Sequence, residues 1–444
     1  MIFSRGIITN NIKKHNGGGF IVKTKGFGRK GWWVTIYTLM LYLFSSSATD
    51  TLNVTTAGHA MVIGGVESSS LLIYAAIGGF VSVPIIIIFG TIVKKCGVKM
   101  PTIILLILLA INWFSYGRCH TIVSYAIAAT LLSALANTLN LVPTQQLMNN
   151  WFPKKKGIAL GWATMGMPID SAISVGIFQY FMNRFGFKTP FYVWAAILVI
   201  LAVLFVLFVK NNPEEAGAYP DNEPLSKEEI EENLRMVNEY QSPFTIGKLF
   251  CTKQFWAVVV IFGFMFMGLV GTISQLVPRL IYVGVQQNTA IMWLTIASVV
   301  GIPTSFMWGF IDQKVGTKKT VVIFAVLWTI LMALSALGSG RMSIGISIAS
   351  VIFLSCMHGG MGNLMPSLVI QLFGRYDFAS VNRMVVPLVV AIRTFSMLLI
   401  PIMIAMAGTN GNVGFRNVFI IFTVLSVISS VCAIKVKNEC IGKA

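Results

Sequence analysis

The chain has 444 residues, of which 56% are hydrophobic and only 11% charged. A soluble chain of this size carries roughly twice that charge, so soluble enzymes, nucleic-acid modules and disordered scaffolds are excluded. The net charge of +18 comes from 33 Lys plus Arg against 15 Asp plus Glu. In an apolar chain that excess belongs to cytoplasmic loops, which collect Lys and Arg.

Residues 1–30 form a basic tail without acids, ending Arg29-Lys30-Gly31-Trp32-Trp33. It has no secretory h-region and reads as a cytoplasmic lead into a first span. Apolar stretches long enough to cross a ~30 Å hydrocarbon core as helices then recur to the end of the chain. Twelve are expected, near 32–58, 69–92, 101–117, 121–146, 157–182, 190–209, 254–280, 288–311, 318–338, 342–371, 385–408 and 414–434. With both termini inside, 26 basic residues fall on the inner side. Six fall outside (Arg118, Arg184, Lys188, Arg279, Arg341, Arg416), and Arg393 alone lies within a span. That asymmetry predicts the orientation, both ends cytoplasmic. The fold class is therefore an all-α membrane protein of twelve helices.

Between spans six and seven lies the one long hydrophilic stretch, 211–252, with nine of the fifteen acids. Ser226 and Glu229 have capping-box spacing, which predicts a short amphipathic helix after Ser226. The stretch reads as a linker between an N-terminal bundle, 31–210, and a C-terminal bundle, 253–436, with a short tail at 437–444.

The two bundles repeat one another. Gly90-Thr-Ile-Val-Lys94-Lys95-Cys-Gly97 follows span two, and Gly309-Phe-Ile-Asp312-Gln-Lys-Val-Gly316 follows span eight, offset by 219. Asn140-Leu-Val-Pro143 and Asn363-Leu-Met-Pro366 repeat in spans four and ten, offset by 223. Two matches at nearly one offset predict a duplicated six-helix unit with parallel topology. Gly90 and Gly309 allow a helix end to approach a neighbour closely. Gly97 and Gly316 permit the tight turn. Lys95 is in position to reach carbonyls or a carboxylate nearby.

The loop resembles the Gly-x-x-x-Asp-Arg-x-Gly-Arg-Lys signature of the major facilitator superfamily, over nearly the whole chain after residue 30. Two departures stand out: Lys94 replaces the family's Asp, and Asp312 comes one position early. Asn150-Trp-Phe-Pro-Lys-Lys-Lys-Gly-Ile-Ala-Leu-Gly161 and Phe373-Gly-Arg-Tyr-Asp-Phe-Ala-Ser380 resemble the loops opening spans five and eleven in the oxalate:formate antiporter and monocarboxylate transporter branch. The resemblance implies two pseudo-symmetric six-helix bundles and transport of a small organic anion by exchange or with protons. It also implies that Arg393 matches the basic residue some members use in span eleven against a substrate carboxylate. The arginine those members carry in span eight is missing, since no charge lies between Gln286 and Ile311.

Ionisable groups inside spans are costly and are site candidates by default. Asp50 is placed in the outer half of span one behind Ser45-Ser46-Ser47, Asp170 in mid span five, and Arg393 about eight residues into span eleven. The resemblance puts these three spans on the central pathway. Arg393 is the candidate substrate contact, with Asn140, Gln275 and Asn363 as hydrogen-bond donors. Asp50 and Asp170 are candidates for reversible protonation, because a desolvated carboxyl with no fixed partner suits that role. His358, the histidine placed mid-span, reads either as a polar helix contact or as a proton relay. Gly90, Lys95, Gly97, Gly309, Asp312 and Gly316 are the candidate gating loops.

The expected function is secondary active transport of a small organic anion, a carboxylate above all, across the cell membrane by alternating access. The competing expectation is proton-driven export of a hydrophobic or cationic compound, with the two aspartates as attractors. No enzyme is expected, since neither His-Glu-x-x-His nor a phosphate-binding glycine loop occurs. No cofactor, metal or nucleic-acid partner is called for. The expected partners are the substrate, protons and the bilayer, with a single chain as the working unit.

Overall fold

A computed structural model describes residues 12–13, 21–22, 26–282, 284–338, 344–408, 411–437 and 439–442. The chain is an all-helical membrane protein whose twelve transmembrane helices form two pseudo-symmetric six-helix bundles. Most of the basic N-terminal tail lies outside the described residues, apart from a two-residue antiparallel pairing of Ile12–Lys13 with Ile21–Val22.

Eleven helices are long and apolar enough to cross a membrane by length and composition. The remaining span, the first, is Gly28–Asp50 continued by Leu52–Ile63. Its hydroxyl run, Ser45-Ser46-Ser47 and Thr49, lowers its apolar content. Thr51 N–H still donates to the Ser47 carbonyl at 3.1 Å, so the chain stays coiled through the break.

Prolines and small residues shape several other spans. Span four is Ile122–Leu141 and Pro143–Trp151, broken at Val142 because Pro143 supplies no N–H to the ladder. Span five is Lys156–Thr164 and Gly166–Phe185, broken at Met165. In the second bundle Lys253–Tyr282, Gln287–Val315, Thr317–Leu337, Ile344–Phe373, Phe378–Met406 and Gly411–Lys435 form spans seven to twelve.

Span eleven begins seven residues earlier than its hydropathy suggests. Ser380, Asn382 and Arg383 make Phe378–Met384 look like a loop, yet Phe378, Val381 and Asn382 are buried within the helix. Arg393 is consequently about 15 residues into its helix rather than eight, or about 22 Å deep.

The two turns of the repeated motif take the backbone conformation their glycines allow. Gly97 has φ +76° between spans two and three, and Gly316 has φ +93° between spans eight and nine. In the linker, the Ser226 hydroxyl accepts from Glu229 N–H at 3.2 Å, and the Glu229 carboxylate accepts from Ser226 N–H at 2.8 Å. That capping box starts the linker helix Lys227–Glu239.

The halves meet through spans two with eleven and five with eight. Near the face carrying the linker, a Cβ on Gly309 would stand 2.8 Å from Gly161 Cα and would collide with the Gly157 carbonyl. A Cβ on Gly90 would stand 2.8 Å from Arg383 Cβ. Both repeated glycines thus sit where a helix of the opposite half passes. Gly309→Leu should destabilise the protein by about 1–3 kcal/mol through overpacking at this seam. Gly176→Leu in span five, with nothing within 4 Å of its would-be Cβ, should leave thermal unfolding in detergent unchanged. Equal losses in the two variants would contradict the seam's importance.

Candidate functional site

Three ionisable side chains that the sequence places inside spans fall at two positions in the molecule. Asp170 stands about 14 residues into span five, roughly 21 Å from its start, and is fully buried. Its Oδ1 accepts from Ser47 Oγ at 2.6 Å and also from Ser174 Oγ. Its Oδ2 meets no donor among the described residues. Asp50, at the end of the first helical segment, accepts from Ser171 Oγ at 2.5 Å on its Oδ2. Asp50 and Asp170 stand close enough for their charges to interact. Asp50 is half-buried, and its carboxylate meets span five through Ser171.

Arg393 lies across the interface between the halves. Its Nη2 donates to Asn137 Oδ1 of span four at 2.6 Å. The guanidinium carbon is 5.9 Å from the centre of the Phe266 ring in span seven. It forms no ion pair among the described residues. The charge in mid-membrane is held by a neutral amide and an aromatic face.

The other candidates are placed differently. Asn140 Nδ2 donates to Ser45 Oγ at 2.9 Å and Ser46 Oγ at 3.4 Å, so it braces span one within its own half. Asn363 is fully buried beside Gly309, and neither of its amide atoms has a partner among the described residues. It belongs to the seam between spans eight and ten rather than to an open cavity. The Gln275 side chain lies outside the described residues. His358 is half-buried without a hydrogen bond among the described residues. It stands one turn from Gly362, whose would-be Cβ meets Thr164 and Met167 of span five, so that face of span ten points at the other half.

The gating candidates divide in the same way. Lys95 is exposed and engages neither a carbonyl nor a carboxylate among the described residues. Asp312 is buried and accepts from Ser367 Oγ of span ten at 2.8 Å. Lys156, at the start of span five, donates to the Ser367 carbonyl at 2.9 Å and adds its charge near Asp312. In the second copy of the motif, where the acid is retained, Asp312 is fastened through Ser367 with the Lys156 charge nearby.

Further cross-half bonds collect at the same face. Gln313 Nε2 donates to the Lys154 carbonyl at 3.0 Å, Asn149 Nδ2 to the Arg375 carbonyl at 3.2 Å, and Asn382 Nδ2 to Gln145 Oε1 at 2.9 Å. Arg375 donates to the Asn150 carbonyl at 2.9 Å and pairs with Glu214 of the linker at 3.2 Å, with both side chains nearly inaccessible. Asp221 accepts from the Lys154 and Lys155 amides at 3.0 and 2.7 Å. Burial pushes the Asp221 carboxyl above its usual range, against the pull of those two amides. Tyr240 donates to Asp377 at 3.1 Å; burial, with that carboxylate beside it, pushes its phenol up to about 12. The linker therefore helps to shut the face it lies on.

Residues that sequence reasoning passed over matter here. Asn137 carries no motif and is found only through its contact with Arg393, 256 positions away. Arg279, counted with the outer loops, is in fact 6% exposed in the last turn of span seven. His59, beyond the expected end of span one, is fully buried, its ring nitrogens each 2.8 Å from the Thr55 and Tyr116 carbonyls.

The family model described as Major Facilitator Superfamily matches residues 34–392. By sequence, the uncharacterised MFS-type transporter YhjX of Escherichia coli (strain K12) is 22% identical over 296 residues, 65% of this chain and 68% of that protein. The oxalate:formate antiporter of Oxalobacter formigenes is 23% identical over 289 residues, 64% of each chain. The structure of the proton:xylose symporter XylE bound to 6-bromo-6-deoxy-D-glucose superposes with a TM-score of 0.75 at 12% identity, covering 92% of this chain and 97% of that one. At that identity the likeness shows the fold.

Arg375→Ala leaves Glu214 buried without its cation and should cost about 3 kcal/mol of stability. The double variant with Glu214→Ala should lose less than the sum of the two single losses, measured by thermal unfolding of the purified protein. Strict additivity would show that the pair does not fasten the linker.

Proposed function

We propose that the chain, which belongs to the major facilitator superfamily, moves a small organic anion across the cell membrane by alternating access, with Arg393 as the anion's anchor. The single observation that carries this reading is the state of Arg393. It is a cation in mid-membrane whose hydrogen-bond partner is the neutral amide of Asn137. A carboxylate entering between the halves gains a charge-assisted, bidentate contact that an amide does not supply. Similarity to the oxalate:formate antiporter supports the same substrate class.

In this reading Asp50 and Asp170 carry the coupling proton. A proton taken up by one of the two neighbouring carboxyls leaves for water once the halves rearrange, and Ser47, Ser171 and Ser174 stabilise whichever oxygen remains charged. The halves, 31–210 and 253–436, rock about the site, joined by the linker 211–252. Both termini lie in the cytoplasm, as the charge asymmetry argues. The seam of Gly157, Gly161 and Gly309 then closes the cytoplasmic side, which makes the structure a state accessible from outside. A single chain holds the whole site.

The test is uptake of labelled mono- and dicarboxylates into liposomes holding the purified protein, with and without an inward proton gradient. Wild type should take up an acid, and Arg393→Ala should lower the rate about tenfold or more, with Arg393→Lys intermediate. Asp170→Asn should abolish stimulation by the gradient. Uptake that needs internal substrate and no gradient would assign exchange. If no acid moves, or if Arg393→Ala matches wild type, the anion reading fails. The carboxyl pair then becomes the leading site and cationic compounds the next substrates to screen.

A further inference from the structure

Span seven ends on an arginine that has no counter-charge among the described residues. Arg279 is buried, and its Nη2 donates to the Ser335 carbonyl of span nine at 2.8 Å. Its guanidinium carbon stands 4.4 Å from the centre of the Phe419 ring in span twelve. Its Nε has no partner, and no carboxylate pairs with it among the described residues. A buried cation in this state is expensive unless something neutralises it.

A cavity of about 10 Å³ adjoins the guanidinium, lined by Thr272, Ser335, Ser347 and Ser350 together with aliphatic side chains. Thr272 and Ser350 direct their hydroxyl protons to carbonyls of their own helices, Gly268 at 2.6 Å and Ile346 at 2.8 Å. Ser347 is 1% exposed, and its hydroxyl has no partner among the described residues. The unspent groups are thus a cationic N–H and an O–H, and both can donate. Donors around one positive charge select an anion. The volume suits one small spherical particle and leaves no room for a carboxylate or phosphate group.

We propose that Arg279 and Ser347 hold a halide-sized monovalent anion, chloride under cellular conditions. It would join the ends of spans seven, nine and ten at the face opposite the linker, away from Arg393 and independently of what Arg393 binds. By mass action such an anion stabilises the folded chain in proportion to its occupancy.

Thermal unfolding of the full chain in detergent tests this, with chloride exchanged for gluconate at constant ionic strength. The melting temperature of wild type should rise saturably with chloride by about 2 °C or more, and bromide should substitute. Ser347→Ala should weaken that response and Arg279→Gln should remove it. Should Arg279→Gln fail to fold, Ser347→Ala and a second measurement decide. Crystals grown in bromide should show an anomalous peak beside Arg279 Nε. A flat chloride response in wild type, or one undiminished in Ser347→Ala, overturns the proposal. So does a bromide-free cavity, which would then hold water.

Discussion

Arg393 stands about 22 Å along its helix, and the residue it binds is a neutral amide from the other half of the molecule. Placing a charge there without a counter-ion is costly, and the surroundings soften that cost without cancelling it. Asn137 satisfies one N–H, and Phe266 presents an aromatic face to the cation. The contact also spans the interface between the two halves. The same bond therefore joins the halves at mid-depth and leaves the guanidinium without a counter-charge among the described residues.

The remaining polar groups follow from that arrangement. The two aspartates do not neutralise Arg393; they stand near each other between spans one and five, each held by serine hydroxyls. A guanidinium and two carboxyls are thereby kept apart in one membrane interior. At the linker face, glycines let spans five and eight touch backbone to backbone, while Lys156, Ser367 and Asp312 supply local fastening. Arg375 ties that face to the linker through Glu214, so the hydrophilic segment between the halves is part of the closure.

Much of this was legible in the sequence, for identifiable reasons. Hydropathy marks spans whose outer faces meet lipid, and the repeated glycines locate both turns and both close approaches. Ser226 and Glu229 mark the linker helix because a capping box is local. Polar residues that face the other half misled the reading instead. Asn382 looks like loop sequence but is buried against Gln145, which hid the first two turns of span eleven. Asn137 and Arg393 are joined only by the fold, and no spacing could announce the pair. Arg279 and His59 sit just past apparent span ends, where hydropathy cannot separate a buried last turn from a solvent loop.

The most direct measurement is equilibrium binding of a carboxylic acid and its primary amide to the purified protein. The two ligands share size and shape and differ in charge, so the comparison isolates what the guanidinium contributes. A site anchored on Arg393 should bind the acid at least about tenfold more tightly than the amide, with the preference gone in Arg393→Gln. Equal affinities for acid and amide in the wild-type protein would contradict an anion site on Arg393.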